Sequence, residues 1–185
     1  MANTIATSPG TVVNSSVAGS YANWVNPNNA KSSDNAYVTT SNNFSPIVDV
    51  KVSLINSDGS YGSENKQLVA AWPIAANTYY EYGGTTDLWS ETITPNNIND
   101  VDFGVVFQAG QSSTQINAYT DEIKATNFGF NIPLDATING VLVEIERNYV
   151  DVGRTKTPQI DHIRVTVYYT EPTFNPAFAH RRLLL

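Results

Sequence analysis

An acidic residue and a histidine stand side by side near the end of the chain, at Asp161 and His162. Catalysis by a triad needs a histidine that an acid orients and that reaches a nucleophile. The sequence has no G-x-S-x-G turn that would present a nucleophilic serine, and adjacent residues of a regular strand point to opposite faces. We therefore expect no catalytic role for the pair, with His162 facing solvent at the start of an edge strand.

Two glutamates, Glu144 and Glu146, lie two positions apart, so on a strand their carboxylates would share a face about 7 Å apart. This spacing overlaps that of paired glycosidase carboxylates. Such pairs, however, flank a sugar cleft and normally come from different strands. The sequence favours a solvated strand face, with Arg147 or Arg164 available for cross-strand pairing. We therefore expect no catalytic residues in this chain.

Oxygen ligands for a calcium ion could come from the sequence after residue 98. The candidates are Asn99, Asp100 and Asp102, with Asp121 and Glu122 nearby. The run lacks the full EF-hand pattern, and Asp or Asn after a helical turn commonly caps backbone groups. The sequence therefore predicts no metal site and no cofactor.

Aromatic side chains are concentrated around the Gly83-Gly84 pair, at Tyr79, Tyr80, Tyr82 and Trp89, and another loop carries Trp24. These rings could form a sugar-stacking platform. They could also close the end of a β-sandwich, or anchor a protein interface, where Tyr and Trp are enriched. The sequence leaves all three interpretations open.

Period-two alternation of apolar and polar residues marks the strands that must position these groups. It is clearest in Val141–Arg147 and Ile163–Tyr169, and it predicts two antiparallel strands with one buried face. Ile47–Ile55 shows the same pattern, and a Gly-rich turn after it predicts a hairpin to a strand over Lys66–Ala71. Phe103–Gln108 is a further short strand.

The strongest helix signal is Thr94 followed by Pro95, an N-cap and a first-turn proline, which predicts one short helical turn. Short strands separated by turn residues, with almost no helix, indicate an all-β protein. We predict an antiparallel jelly-roll-like β-sandwich over residues 21–171. Residues 1–20 and 172–185 are predicted to be extended N- and C-terminal arms.

Composition excludes several classes of protein. The 185 residues suit one domain with a buried core, and 41% of them are hydrophobic, which excludes disorder. A net charge of −7 argues against a nucleic-acid partner. The chain has no cysteine and therefore no disulfide framework. We find no signal-peptide pattern and no apolar run of membrane-spanning length, so we expect no membrane association.

The C-terminal segment combines apolar and basic residues in an acidic protein. Terminal leucines left in water would form an exposed apolar patch, so we expect the segment to fold back or to dock on another subunit, unless its end is disordered. Its candidate interface residues are Phe174, Phe178, Arg181, Arg182, Leu183, Leu184 and Leu185.

Four stretches resemble a family of jelly-roll-type β-sandwich proteins among the virion structural proteins of tailed bacteriophages. They cover well over half of the chain: Trp24–Thr40, Ala70–Phe107, Asn127–Arg147 and Ile160–Thr170. In the family, the block that matches Asn127–Arg147 comes before the block that matches Ala70–Phe107. In this chain it comes after it, so the strand order is permuted relative to the family.

The resemblance implies a structural or surface-accessory protein of the virion, assembled in the host cytoplasm, and it transfers no catalytic residues. We expect a capsid decoration or cement protein that binds other virion proteins, above all the major capsid protein, and forms a homo-oligomer such as a trimer. The alternative is a carbohydrate-binding module of a tail fibre or baseplate. Expected contact residues are Trp24, Tyr79, Tyr80, Tyr82, Trp89 and the C-terminal residues named above.

Overall fold

Two antiparallel sheets pack face to face in this protein, an all-β sandwich as the sequence predicts. The computed structural model describes residues 2–40, 42, 46–74, 76–111, 118–152 and 155–172. Within these residues the larger sheet has six strands: β1 (Ala2–Thr7), β3 (Trp24–Val25), β4 (Val38–Thr40), β6 (Thr78–Gly83), β9 (Thr137–Val152) and β10 (Thr155–Thr170). The smaller sheet has four: β2 (Thr11–Ser15), β5 (Ile47–Ile55), β7 (Gly104–Gln111) and β8 (Glu122–Thr126).

The order of strands in the larger sheet is β3-β4-β10-β9-β6, and β1 also pairs with β10. The smaller sheet has the order β2-β8-β7-β5. Chain neighbours therefore often lie in opposite sheets, so most strands find their partners far away in sequence.

A long hairpin of β9 and β10 forms the centre of the larger sheet. The two strands pair along their whole length, with Ile145 opposite Ile163 and Val143 opposite Val165. The alternation in Val141–Arg147 and Ile163–Tyr169 therefore predicted the right strands and the right buried face, since the β-branched side chains meet in the core. The pairing shifts by one residue between Ile160 and His162, which leaves a bulge at Asp161.

The N-terminal segment, expected as an arm over residues 1–20, is extended but is built into the sandwich. Ala2–Thr7 pairs with β10, and Thr11–Ser15 pairs with β8 in the other sheet. Ser8, Pro9 and Gly10 connect the two sheets, and Pro9 is buried. The chain beyond residue 172, expected as a C-terminal arm, lies outside the described residues.

The segment expected as a strand over Lys66–Ala71 runs along the edge of β5 without regular pairing. Its Lys66 nitrogen donates to the Val52 oxygen at 2.9 Å, and the Trp72 nitrogen donates to the Ile47 oxygen at 2.9 Å. In between, the Asp49 carboxylate accepts from the Leu68 nitrogen at 3.0 Å. Because a side chain replaces part of the backbone ladder, the segment covers the edge but is not a strand.

The predicted helical turn is present as α1, Pro95–Asn99. Thr94 caps it, since the Asn97 backbone nitrogen donates to the Thr94 hydroxyl and the Asn97 side chain accepts from the Thr94 nitrogen. These reciprocal bonds satisfy the first free backbone donors of the helix. A second short turn, a 3-10 helix, spans Pro27–Ala30.

The core lies between the two sheets and is made of branched aliphatic and aromatic side chains. Trp24 and Trp72 both pack against Phe107, with ring centroids 6.2 and 5.9 Å apart. The largest fully buried side chains include Trp89, Arg147, Phe107, Ile47, Leu54, Ile98, Ile123, Ile132, Ile145, Ile160 and Ile163.

Candidate functional site

The outer face of the larger sheet carries a cluster of polar and charged side chains in two rows. Strand register places Tyr79, Glu146 and His162 in one row across β6, β9 and β10. Glu81, Glu144 and Arg164 form the next row. We call the first row, together with Ser8 and Ser33, the histidine cluster.

His162 is the centre of the histidine cluster. Its Nε2 atom lies 2.8 Å from the Ser8 hydroxyl, and its Nδ1 atom lies 2.8 Å from the Tyr79 hydroxyl. Only 7% of the residue is exposed, so the expectation of a solvent-facing residue on an edge strand is wrong. The reason is that β10 is a central strand, flanked by β9 on one side and by β1 and β4 on the other.

Glu146 connects the histidine cluster to the loop after the 3-10 helix. Its Oε2 atom accepts the Ser33 hydroxyl at 2.6 Å, and it also interacts with the Tyr79 hydroxyl. Burial, with the bond to Glu146, raises the pKa of Tyr79. The expected solvated face is wrong for this carboxylate, because the loop and β6 leave it buried.

Glu144 is buried as well, but its partner reaches solvent. Arg164 donates through Nε and Nη2 to the two oxygens of Glu144 at 2.6 and 2.5 Å, and it stacks over Tyr79 with its guanidinium carbon 4.5 Å from the ring centroid. The sequence correctly offered Arg164 as a cross-strand partner. Both glutamates therefore have local partners and do not face each other across a cleft.

The bulge changes the surroundings of Asp161. Its Oδ2 atom accepts the Asn77 amide at 3.1 Å, whereas Oδ1 is buried without a hydrogen-bond partner. Burial and the nearby Glu146 carboxylate raise the pKa of Asp161. No contact joins Asp161 to the ring of His162 among the described hydrogen bonds. The partners of His162 are Ser8 and Tyr79, which local sequence could not indicate.

Arg147, the other expected partner for the glutamates, points the opposite way, into the core. It forms an ion pair with Asp49 of the smaller sheet, and the side chains are 1% and 0% exposed. Asp49 also accepts from the Trp72 indole at 2.9 Å and from the Tyr82 hydroxyl at 2.8 Å. Burial lowers the pKa of Arg147 to about 9, which leaves the guanidinium charged at neutral pH.

Two of the side chains considered for calcium, Asp121 and Asn99, are engaged by the protein itself. Asp121 accepts from the Asn14 amide, the Val17 nitrogen and the Ser20 hydroxyl at 2.9, 3.1 and 2.5 Å. Asn99 exchanges two hydrogen bonds with the backbone of Ile132. Among the described residues, no group of three or more histidine or acidic side chains could hold a metal ion.

Three of the five expected aromatic contact residues belong to the core. Trp24, Tyr82 and Trp89 are 3%, 2% and 1% exposed, and each uses its polar atom internally. These rings close the sandwich, so they cannot anchor a partner or stack on a sugar. Tyr79 and Tyr80 are half-buried, on opposite faces of β6. The expected contact residues Phe174, Phe178, Arg181, Arg182, Leu183, Leu184 and Leu185 lie outside the described part of the chain.

An apolar surface lies along the edge of the smaller sheet, in the segment that covers β5. We define the apolar strip as Leu68, Val69, Ala70, Ala71 and Ile74, all of which are exposed. Val69 is 74% and Ile74 is 60% exposed. No charged residue occurs from 67 to 80. The sequence predicted a strand over Lys66–Ala71, the second half of a hairpin, and did not indicate an exposed surface, although the charge-free run is visible in it.

Comparisons of the chain with protein-family models, with curated proteins and with solved structures found no significant match. No helix in the described part of the chain is long and apolar enough to cross a membrane.

Proposed function

We propose that this chain is a structural protein of a bacteriophage virion that decorates or cements the capsid, with the apolar strip as its contact surface. The four stretches that resemble virion proteins support the class of protein. The observation that supports the strip as a contact surface is its exposure, because a monomeric protein rarely leaves several neighbouring apolar side chains in water.

The chemistry of the strip suits a protein partner. Interface centres are poor in charged residues, since every buried charge must be desolvated. Lys66 and Glu81 flank the charge-free run in the sequence. The strip also continues toward Val150, because Ile74 bridges to Tyr149 at the end of β9. Val150 is exposed too, which extends the apolar surface onto the larger sheet.

Decoration fits a small rigid sandwich of this kind. Each copy needs a modest contact, because many copies on a symmetric lattice add their contacts and hold neighbouring capsid subunits together. The major capsid protein is the proposed partner, and the decorating protein is proposed to be a homo-oligomer. The segment 173–185, with its leucines and arginines, is a second proposed contact.

The alternative function, glycan binding at a tail fibre or baseplate, needs exposed aromatic faces. The burial of Trp24, Tyr82 and Trp89 removes most of the expected platform. Tyr79 presents its ring to Arg164, which occupies a stacking face. Titration of host polysaccharide against tryptophan fluorescence tests this alternative, and a saturable change would favour it.

Surface charge substitutions test the decoration proposal. We expect Val69→Asp and Ile74→Asp each to weaken binding to capsids that lack this protein by about tenfold or more, since a carboxylate buried in an apolar contact must be desolvated, and a cost of about 1.4 kcal/mol is tenfold in affinity. Co-sedimentation with such capsids measures the affinity. Leu134→Asp and Val101→Asp are matched controls, because these residues are 71% and 62% exposed.

The controls lie away from the strip. Leu134 precedes the start of β9, whereas Ile74 bridges to Tyr149 near the end of that strand. Equal losses of affinity in all four variants would show that the strip is not the contact surface. Quantitative mass spectrometry of purified virions tests the role itself: hundreds of copies per particle support decoration, and a handful would move the protein to the tail.

A further inference from the structure

We propose that Ser8 is an activated nucleophile that accepts acyl groups from carboxylic esters, with His162 as its general base. The proposal assigns chemistry to the histidine cluster and goes beyond a structural role on the particle. It rests on a chain of hydrogen bonds that begins at an exposed hydroxyl and ends at a buried carboxylate.

One arrangement of protons makes His162 a base toward Ser8, and this arrangement is part of the proposal. In this arrangement the Tyr79 hydroxyl donates to Glu146, and its oxygen accepts from His162 Nδ1, which lies 2.8 Å away. The proton of the neutral ring therefore sits on Nδ1, and Nε2 accepts the Ser8 hydroxyl at 2.8 Å. This is the order of nucleophile, base and orienting group that activates serine in unrelated proteins, here with a tyrosine between the histidine and the acid.

The position of Ser8 is fixed by its neighbours in the chain. Thr7 pairs with Val165 of β10, and the Gly10 nitrogen donates a hydrogen bond to the Asn127 oxygen at 2.7 Å. Pro9 is buried between them. Ser8 itself is exposed, so a small ester can reach its oxygen while the base stays shielded. Such pre-organisation lowers the entropy cost of a nucleophilic attack.

The ring of His162 is in the neutral form that a general base requires. Burial lowers the pKa of the ring, so it is neutral at pH 7, although Glu146, Glu144 and Asp34 partly oppose this effect. Arg164 on the same strand acts in the same direction as burial. Once a proton arrives at Nε2, the buried Glu146 stabilises the imidazolium through Tyr79.

The reaction balances without a further reactant. The Ser8 oxygen attacks the ester carbonyl carbon while its proton moves to Nε2 of His162. The bond from that carbon to the alcohol oxygen then breaks, and the leaving alkoxide takes the proton from Nε2. The products are an ester on Ser8 and a free alcohol, and the ring is again neutral.

The test is acetylation of the full chain by p-nitrophenyl acetate, followed by release of nitrophenolate and by peptide mass spectrometry. We expect one acetyl group per chain on Ser8, and none at this position in Ser8→Ala. His162→Gln should slow acetylation by about 100-fold or more, the usual contribution of a general base. Ser63→Ala is the control, since Ser63 is an exposed serine that donates to Glu91 instead of a histidine.

Tyr79→Phe keeps the aromatic ring and removes the hydroxyl that connects His162 to Glu146. It therefore tests the cluster if circular dichroism shows that His162→Gln does not fold. It should reduce the rate by about tenfold. The rate in the native chain should rise with pH through the lowered pKa of His162 and then stay level. Acetylation that avoids Ser8, or that proceeds equally fast in Tyr79→Phe and with no such plateau, would overturn the proposal.

Discussion

Two arginine–carboxylate pairs on opposite faces of the same sheet differ in how they meet water. Arg147 and Glu144 are three positions apart on β9, so the alternation of the strand sends one into the core and the other outward. In the inner pair, Arg147 and Asp49 are 1% and 0% exposed, whereas in the outer pair Arg164 is 40% exposed. The inner pair joins the two sheets, and the outer pair joins two neighbouring strands.

The difference in burial gives the two ion pairs different consequences for stability. Burying Arg147 and Asp49 costs desolvation energy, and the structure offsets that cost by giving Asp49 donors from Leu68, Trp72 and Tyr82 as well. Neither member can then be lost without leaving a buried charge. Breaking the outer pair should cost little stability, because water can replace the Glu144 carboxylate as the partner of Arg164.

The largest expected effect is that of breaking the inner pair. Asp49→Ala should lower the free energy of unfolding by about 3–5 kcal/mol, because it leaves the buried Arg147 without a counter-charge. Urea unfolding followed by circular dichroism measures the loss.

A double substitution sharpens this prediction. Asp49→Leu with Arg147→Met removes both charges, and we expect it to recover most of the stability that Asp49→Ala loses, as apolar replacements of buried pairs often do. If Asp49→Ala lowers stability by less than 1 kcal/mol, the pair does not have the energetic role that its burial indicates.

The outer pair should give a smaller effect. Glu144→Gln should lower the free energy of unfolding by about 0.2–1 kcal/mol, since Arg164 remains partly solvated. The loss should shrink in 1 M salt, where charges are screened over about 3 Å. Urea unfolding at low and high salt measures both. A loss as large as that of Asp49→Ala would show that exposure does not separate the two pairs.

The smallest expected effect is the pH dependence of stability that His162 causes. Burial lowers the pKa of His162 from its ordinary 6.5, so the unfolded chain binds a proton more readily than the folded chain. The contribution of His162 to the free energy of unfolding is therefore fully present above about pH 6.5, and it decreases as the pH falls toward the pKa of the folded state.

Thermal unfolding between pH 8 and 5 measures this slope, which His162→Gln should reduce. His180→Gln is the matched control, because His180 is the other histidine of the chain. A slope that persists in His162→Gln and disappears in His180→Gln would assign the effect to the C-terminal segment.

Local sequence predicts the parts of this fold that depend on local physics. Alternation identified parts of the two strands that form the long hairpin and the side of them that is buried, and Thr94 with Pro95 identified the helical turn. The strand Glu122–Thr126 was missed because it is short and follows a polar stretch. Its pairing with β2 and β7 supplies the stability that its own residues do not signal.

The candidate site was harder to predict because its members come from distant parts of the chain. Ser8 and His162 are separated by 154 positions, and Asp49 and Arg147 by 98. The pattern around Asp161 and His162 predicted a regular strand, but a bulge interrupts it. Which residues meet across strands depends on register, which neither composition nor local alternation specifies.

The pairing of the first strand with the last has a consequence for how the protein is made. Ala2 lies opposite Thr170, so Ala2–Thr7 has no strand to pair with until β10 has been synthesised. Closing such a distant contact is slow compared with forming a hairpin. During that interval, Ala2–Thr7 of one copy can pair with the β10 edge of another newly made copy. Exchange of Ala2–Thr7 between copies is therefore a misassembly that this pairing permits, and rapid synthesis at high concentration would favour it.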